Sequence, residues 1–196
     1  MIPPQDIQED LAHRIASVPG SDRQLAPLPA DRLHLRMANF GMVTHADTDT
    51  LSRAVEREVA QQPRMQLRFS GGAVLEPIGD DSIWARLEGD VDQFAETADL
   101  IVRVVKRLGF LIDRRLPRTL VRLGRITPTT TTDFLQRVTD QLDGYSSREW
   151  ICEDVVLLRM SESGQEAGTR FEVLNRFPLQ TDDATDVGKH RGTSSD

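Results

Sequence analysis

Two side chains able to do chemistry stand two residues apart in the stretch ADRLHLRMANFG, residues 30–41: His34 and Arg36. An imidazole titrates near neutrality and moves protons in either direction. A guanidinium offers a forked set of donors matched to phosphate oxygens. Leu33, Leu35 and Met37 alternate with them, so a half-buried strand would carry His34 and Arg36 together on the face away from its apolar residues. The other histidines offer less: His13 follows Ala12 on the outer side of a helix pattern, His45 falls in a loop before a helix, and His190 lies in a polar tail. Cys152 is the only cysteine, which excludes an internal disulfide and a cysteine zinc cluster. Beside an apolar run it reads as a buried, inert thiol.

Charge narrows the choice of partner. The chain has 24 Lys and Arg against 31 Asp and Glu, a formal net charge of -7. Non-specific duplex binding is driven by cations that displace counterions, so stable binding to duplex DNA is not expected, and any nucleic acid must meet a local basic cleft. Lysine occurs only at Lys106 and Lys189. Arginine in its place fits the codon use of a G+C-rich genome and also supplies bidentate phosphate donors. No apolar run reaches the ~18–20 residues of a membrane span, and no basic-then-apolar leader opens the chain. The expectation is a cytoplasmic protein without membrane contact.

The elements that must position these residues follow from periodicity. A first helix starts at the prolines and carries Ile7, Leu11, Ile15 and Val18 on one stripe. The segment GSDRQLAPLPAD reads as a proline-rich connection, RLHLRMANFG as a strand closed by Gly41, and DTDTLSRAVEREVAQQ as a second helix capped by Asp or Thr. RMQLRF is a strand, SGGAVLEPIGDD a short strand with turns, and SIWARLEG another strand. The clearest helix follows, capped by Asp90, with Phe94, Ala98, Ile101, Val105 and Leu108 inward and Gly109 as its stop. LPRTLVRLGRI is a strand, and the threonines of TPTTTTDFLQRVTDQL are turn and cap residues leading into a short helix with Phe134, Leu135, Val138 and Leu142 inward. EDVVLLRMSE and GTRFEVLNRFPL form a hairpin. Residues 1–179 make one domain of α+β class, and residues 180–196 a polar, disordered tail.

This order, with two short motifs, resembles the 2'-5' RNA ligase and RNA 2',3'-cyclic phosphodiesterase family of the two-histidine (2H) phosphoesterases. The family's first strand reads roughly H-L-T-L followed by Phe or Leu and Gly; here it is His34-Leu35-Arg36-Met37 with Phe40-Gly41. Its second reads roughly P-H-x-T-L-A-R and is met by Pro117-Arg118-Thr119-Leu120-Val121-Arg122, 117 − 34 = 83 residues on. SIWARLEGDVDQFAETADLIVRVVKRLGF and the C-terminal hairpin extend the likeness over residues 1–179. The resemblance implies two pseudo-symmetric lobes of antiparallel sheet with outer helices, facing each other across a central cleft. Leu33 to Ala38 and Pro117 to Leu123 would be the facing strands. It also implies paired imidazoles for acid and base, paired hydroxyls on the phosphate oxygens, no metal, no cofactor, and an RNA end or small cyclic nucleotide as ligand.

The sequence departs from the pattern in three places. Arg36 stands where the first Thr belongs. Keeping Thr119 in register sets Pro117 against the second His, whereas a shift by one sets Arg118 there and loses Thr119. Either register removes the second imidazole. The family's short apolar strand, just before the proline that opens helix one, does not precede Pro3 here: either it is lost or the start lies further upstream. Only the first case would expose a sheet edge for a homodimer or the tail to cover. The resemblance thus assigns His34 and Thr119 to catalysis and Arg36, Arg118 and Arg122 to substrate. It leaves open a slow metal-independent phosphodiesterase, a non-catalytic phosphate or nucleotide binder, and an interaction module with an empty cleft.

Overall fold

In the computed structural model, residues 1–41, 43–74, 81–112, 119–162 and 169–180 are described. The four helix patterns fold as α1 (Gln5–Ala16), α3 (His45–Val59), α4 (Val91–Arg107) and α5 (Thr132–Asp143), with a one-turn helix α2 (Ser21–Gln24) after the first. Helix α3 begins earlier than the sequence pattern predicts: Thr44 is the N-cap, its hydroxyl accepting from the Asp47 amide, so His45 opens the helix. Asp90 sits at the N-cap position of α4 but does not cap it; its carboxylate accepts instead from the Gln66 amide at 2.8 Å.

Five strands, β1 (Leu25–Pro27), β2 (Met65–Val74), β3 (Ser82–Gly89), β4 (Leu120–Ile126) and β5 (Trp150–Cys152), form one sheet of order β1-β4-β3-β2-β5. Every neighbour in it is antiparallel. Strands β6 (Asp154–Glu162) and β7 (Thr169–Pro178) pair as the expected hairpin. The class is α+β. Period-2 alternation divides the sheet cleanly: Met65, Leu67, Phe69, Ile83, Ala85, Leu87, Val121 and Leu123 enter the core, where α1 and α5 contribute Ile7, Leu11, Ile15, Phe134, Val138 and Leu142. Arg68, Trp84, Arg86, Leu120 and Arg122 alternate with those core positions on the same strands and so lie on the opposite face.

SGGAV is not a separate strand. Strand β2 runs on through it, with a register shift between Phe69 and Gly72 where Gly71 takes φ +70°. Gly72 is where α5 closes on the sheet: a Cβ there would lie 2.7 Å from the Leu142 Cβ. The proline-rich connection also contains more structure than its composition implies. Leu25–Pro27 pair with Gly124–Ile126, and the threonine run fastens that end of the sheet. Thr127 and Thr129 each donate to the Arg23 carbonyl at 2.8 Å, Thr130 donates to the Gln24 carbonyl, and Thr131 donates its amide and hydroxyl to the Gln24 side chain.

The predicted strand at Leu33 to Ala38 requires correction. Ala30–Arg32 is a turn of 3-10 helix, Leu33 after it is extended, and residues 33–36 join neither sheet. The segment keeps the alternation, with Leu33, Leu35 and Met37 buried, because its polar groups are satisfied singly. The Leu33 carbonyl accepts from the Gln8 side chain of α1 at 2.7 Å. Leu35 and Met1 exchange both backbone hydrogen bonds, each 2.9 Å long. The predicted tail lies outside the described residues beyond Gln180, whose amide donates to the Gln62 carbonyl.

Candidate functional site

His34, Arg36 and Arg122 meet. They line one cavity of about 200 Å³ with Leu28, Arg32, Trp84, Leu120, Met160 and Phe171. The segment from residue 28 to residue 36 forms one wall, β3 and β4 another, and the hairpin β6–β7 a third. Trp84 and Arg122 are direct cross-strand partners on β3 and β4, so their side chains rise from the same face of the sheet. The Leu28 amide donates to the Leu123 carbonyl at 2.8 Å and carries the chain from β1 into the first wall.

His34 is held on two sides. Its Nδ1 lies 2.9 Å from the Arg32 carbonyl oxygen, which can only accept, so Nδ1 carries the proton and Nε2 of the neutral ring is the basic nitrogen. The Phe171 ring meets the imidazole edge to face, with centroids 4.6 Å apart. Burial pushes the imidazole pKa below its ordinary value against the Arg32 hydrogen bond, and the positive charges of the Met1 amino group, Arg36 and Arg122 push the same way. The ring is therefore a neutral base at physiological pH, set among guanidinium groups.

Thr119 is half-buried and is not in the cavity wall; its carbonyl accepts from the Leu87 amide at 2.9 Å as the chain enters β4. Pro117 and Arg118 lie outside the described residues. Strand parity explains the difference. Positions 120 and 122 face the cavity while Val121 and Leu123 face the core. Of the two registers for the second motif, the one aligning Arg118 with the family's His and Leu120 with its Thr puts the hydroxyl position in the cavity wall, and that position is Leu120. Sequence reasoning missed Arg32, Trp84, Met160 and Phe171. The alternation of SIWARLEG places Trp84 on the same face as Arg86 and could have flagged it. Nothing local marks Phe171, which the hairpin brings in from far along the chain.

His13 and His45 are exposed and Cys152 is buried, with its thiol 3.4 Å from the Asp154 carbonyl. Among the described residues no group of three or more His, Cys, Asp or Glu side chains is arranged to hold a metal ion. No described helix is long and apolar enough to cross a membrane.

Solved structures share this fold. The chain superposes on E. coli LigT complexed with 3'-AMP with a TM-score of 0.72 at 19% identity, covering 91% of this chain and 94% of LigT. It matches TT0787 of Thermus thermophilus with a TM-score of 0.71 at 18% identity, over 92% and 96% of the two chains. A protein described as a phosphoesterase gives 0.70 at 18% identity, over 91% and 94%. The chain has the LigT fold. No protein-family model and no curated protein sequence matches it. At such identity the LigT fold fixes the path of the chain, and the chemistry rests on the side chains in the cavity.

Proposed function

We propose that the cavity binds the phosphate of an RNA end or of a small nucleotide, and that as a cyclic phosphodiesterase it works slowly, with one imidazole where the LigT-like pattern uses two. The carrying observation is the convergence of His34, Arg36 and Arg122, far apart in sequence, on one cavity. LigT structures complexed with 3'-AMP, phosphate and ATP support the same ligand class for a cleft of this fold.

In this reading neutral His34 takes the proton of the attacking water through Nε2, while the Arg32 carbonyl steadies the imidazolium that forms. Arg36 and Arg122 face the phosphate oxygens and stabilise the charge that builds on them; Arg118, outside the described residues, is kept as a substrate residue on the motif alone. Thr119, outside the cavity wall, is assigned the role of shaping the start of β4. With no second imidazole among the described residues lining the cavity to protonate the leaving ribose oxygen, the rate falls by the ~10²- to 10⁴-fold that one general acid contributes. Leu120 in the hydroxyl position and Arg36 in place of Thr favour a second reading, a binding protein that turns nothing over.

The domain of residues 1–179 is proposed to act in the cytoplasm, where RNA ends and free nucleotides are found. A homodimer would pair through β1 or β5, the end strands of the sheet. Hydrolysis of adenosine 2',3'-cyclic phosphate, followed by chromatography with wild type and His34→Ala, decides between the readings. Slow turnover lost in the variant supports the enzyme; nucleotide binding without turnover supports the binder; absence of both rejects a nucleotide site.

A further inference from the structure

We propose that this cleft selects its ligand by charge, holding a dianionic phosphomonoester on a nucleotide's ribose more tightly than the monoanionic cyclic diester. The inference rests on the reading of the cavity as a nucleotide-phosphate site. It starts from the composition of the wall: Arg32, Arg36 and Arg122 line the cavity, and no carboxylate lines it among the described residues. Each guanidinium keeps its positive charge whatever else it bonds, and it presents that charge on a planar fork of N–H donors.

Hydroxyl donors carry no net charge and serve a monoanion and a dianion alike. Replacing them with cations separates the two ligands, because Coulomb attraction scales with ligand charge and strengthens where water is scarce. Trp84 is buried and Leu28, Leu120 and Phe171 are half-buried on one side of the same small space, while Arg36, Arg122 and Met160 are exposed on the other. The attraction is thus partly screened and falls as salt rises. Burial, with smaller help from the charges of Arg36 and Arg122, holds the His34 pKa below its ordinary value, so the guanidinium groups and not the imidazole supply the positive charge. A phosphomonoester has its second ionisation near pH ~6, so at pH 7.5 it is chiefly a dianion, whereas a 2',3'-cyclic phosphate carries a single charge.

Calorimetry on the full chain at pH 7.5 and constant salt tests this with three ligands: adenosine 3'-phosphate, adenosine 2',3'-cyclic phosphate, and the methyl ester of adenosine 3'-phosphate, an open-chain monoanion. The monoester should bind at least ~10-fold more tightly than either monoanion. Arg36→Gln and Arg122→Gln, verified as folded by circular dichroism, should each reduce that ratio, and the double variant should bring it below ~3-fold. Equal or tighter binding of the monoanions overturns the charge preference and leaves the nucleotide site standing. An undiminished ratio in the folded double variant overturns the guanidinium origin. If no ligand binds, the nucleotide reading fails and this one with it; should the variants not fold, the wild-type ratio still decides.

Discussion

His34 in the first cavity wall and Phe171 in the last strand meet edge to face, with ring centroids 4.6 Å apart, so the two ends of the described chain close around one titratable group. The phenyl ring keeps water from the imidazole, and burial is the largest cause of the lowered His34 pKa. Phe171→Ala should therefore raise it towards the ordinary value near ~6.5. Proton NMR titration of the His34 ring reads this directly. An unmoved midpoint would mean that Phe171 is not what shields the imidazole.

Stability should depend on pH through the same group. The folded chain binds the His34 proton less readily than the unfolded chain, whose histidines titrate near ~6.5. Stability from this group is fully present above that value and is lost as pH falls through the window down to the folded pKa, since the unfolded state takes up the proton first. Urea denaturation at pH 7.5 and pH 5 should show a larger loss for wild type than for His34→Gln. Equal losses would reject the linkage.

The motif register predicts which substitutions restore catalysis. If Leu120 occupies the hydroxyl position, Arg118→His with Leu120→Thr and Arg36→Thr should recover cyclic phosphodiester hydrolysis ~10²-fold or more above wild type, the contribution of one general acid. The alternative register calls for Pro117→His with Arg36→Thr and should gain little. Adding His34→Ala must abolish any gain. Greater activity from the Pro117→His variant would reverse the assignment.

Gly72→Ala should cost about 1–3 kcal/mol, the usual penalty for forcing a methyl group into a filled core. The new Cβ would lie 2.7 Å from the Leu142 Cβ, an atom next to the helix backbone, so α5 itself has to move. Leu142→Ala leaves the Cβ in place and should rescue only part of the loss, as thermal melts of the single and double variants will show. Full tolerance of Gly72→Ala would show that α5 is seated loosely.

The long elements were legible because periodicity is a property of the segment itself. Ile7, Leu11 and Ile15, or Met65, Leu67 and Phe69, announce a buried face without knowledge of its partner. The short ones were not. Leu25–Pro27 and Trp150–Cys152 are strands because β4 and β2 offer them edges, which no window of three residues records. At Leu33 to Ala38 the reverse holds: the alternation is present, but hydrogen bonds from Gln8 and Met1 take the place of a ladder. His34, Arg36 and Arg122 could be found as motif positions, while Trp84 and Phe171 enter the cavity through strand register and hairpin closure.

The threonine run at the end of β4 has a mechanical consequence for the cleft. Arg23 and Gln24, gripped by those hydroxyls, lie immediately before β1, from which the chain passes into the wall that carries Arg32, His34 and Arg36. The wall is thus anchored at its start by uncharged hydroxyl-to-carbonyl bonds and by the β1–β4 ladder, contacts indifferent to salt and to pH over the range in which histidine titrates. Ionic conditions can therefore change how strongly the guanidinium groups hold a ligand without loosening the wall that carries Arg32 and Arg36.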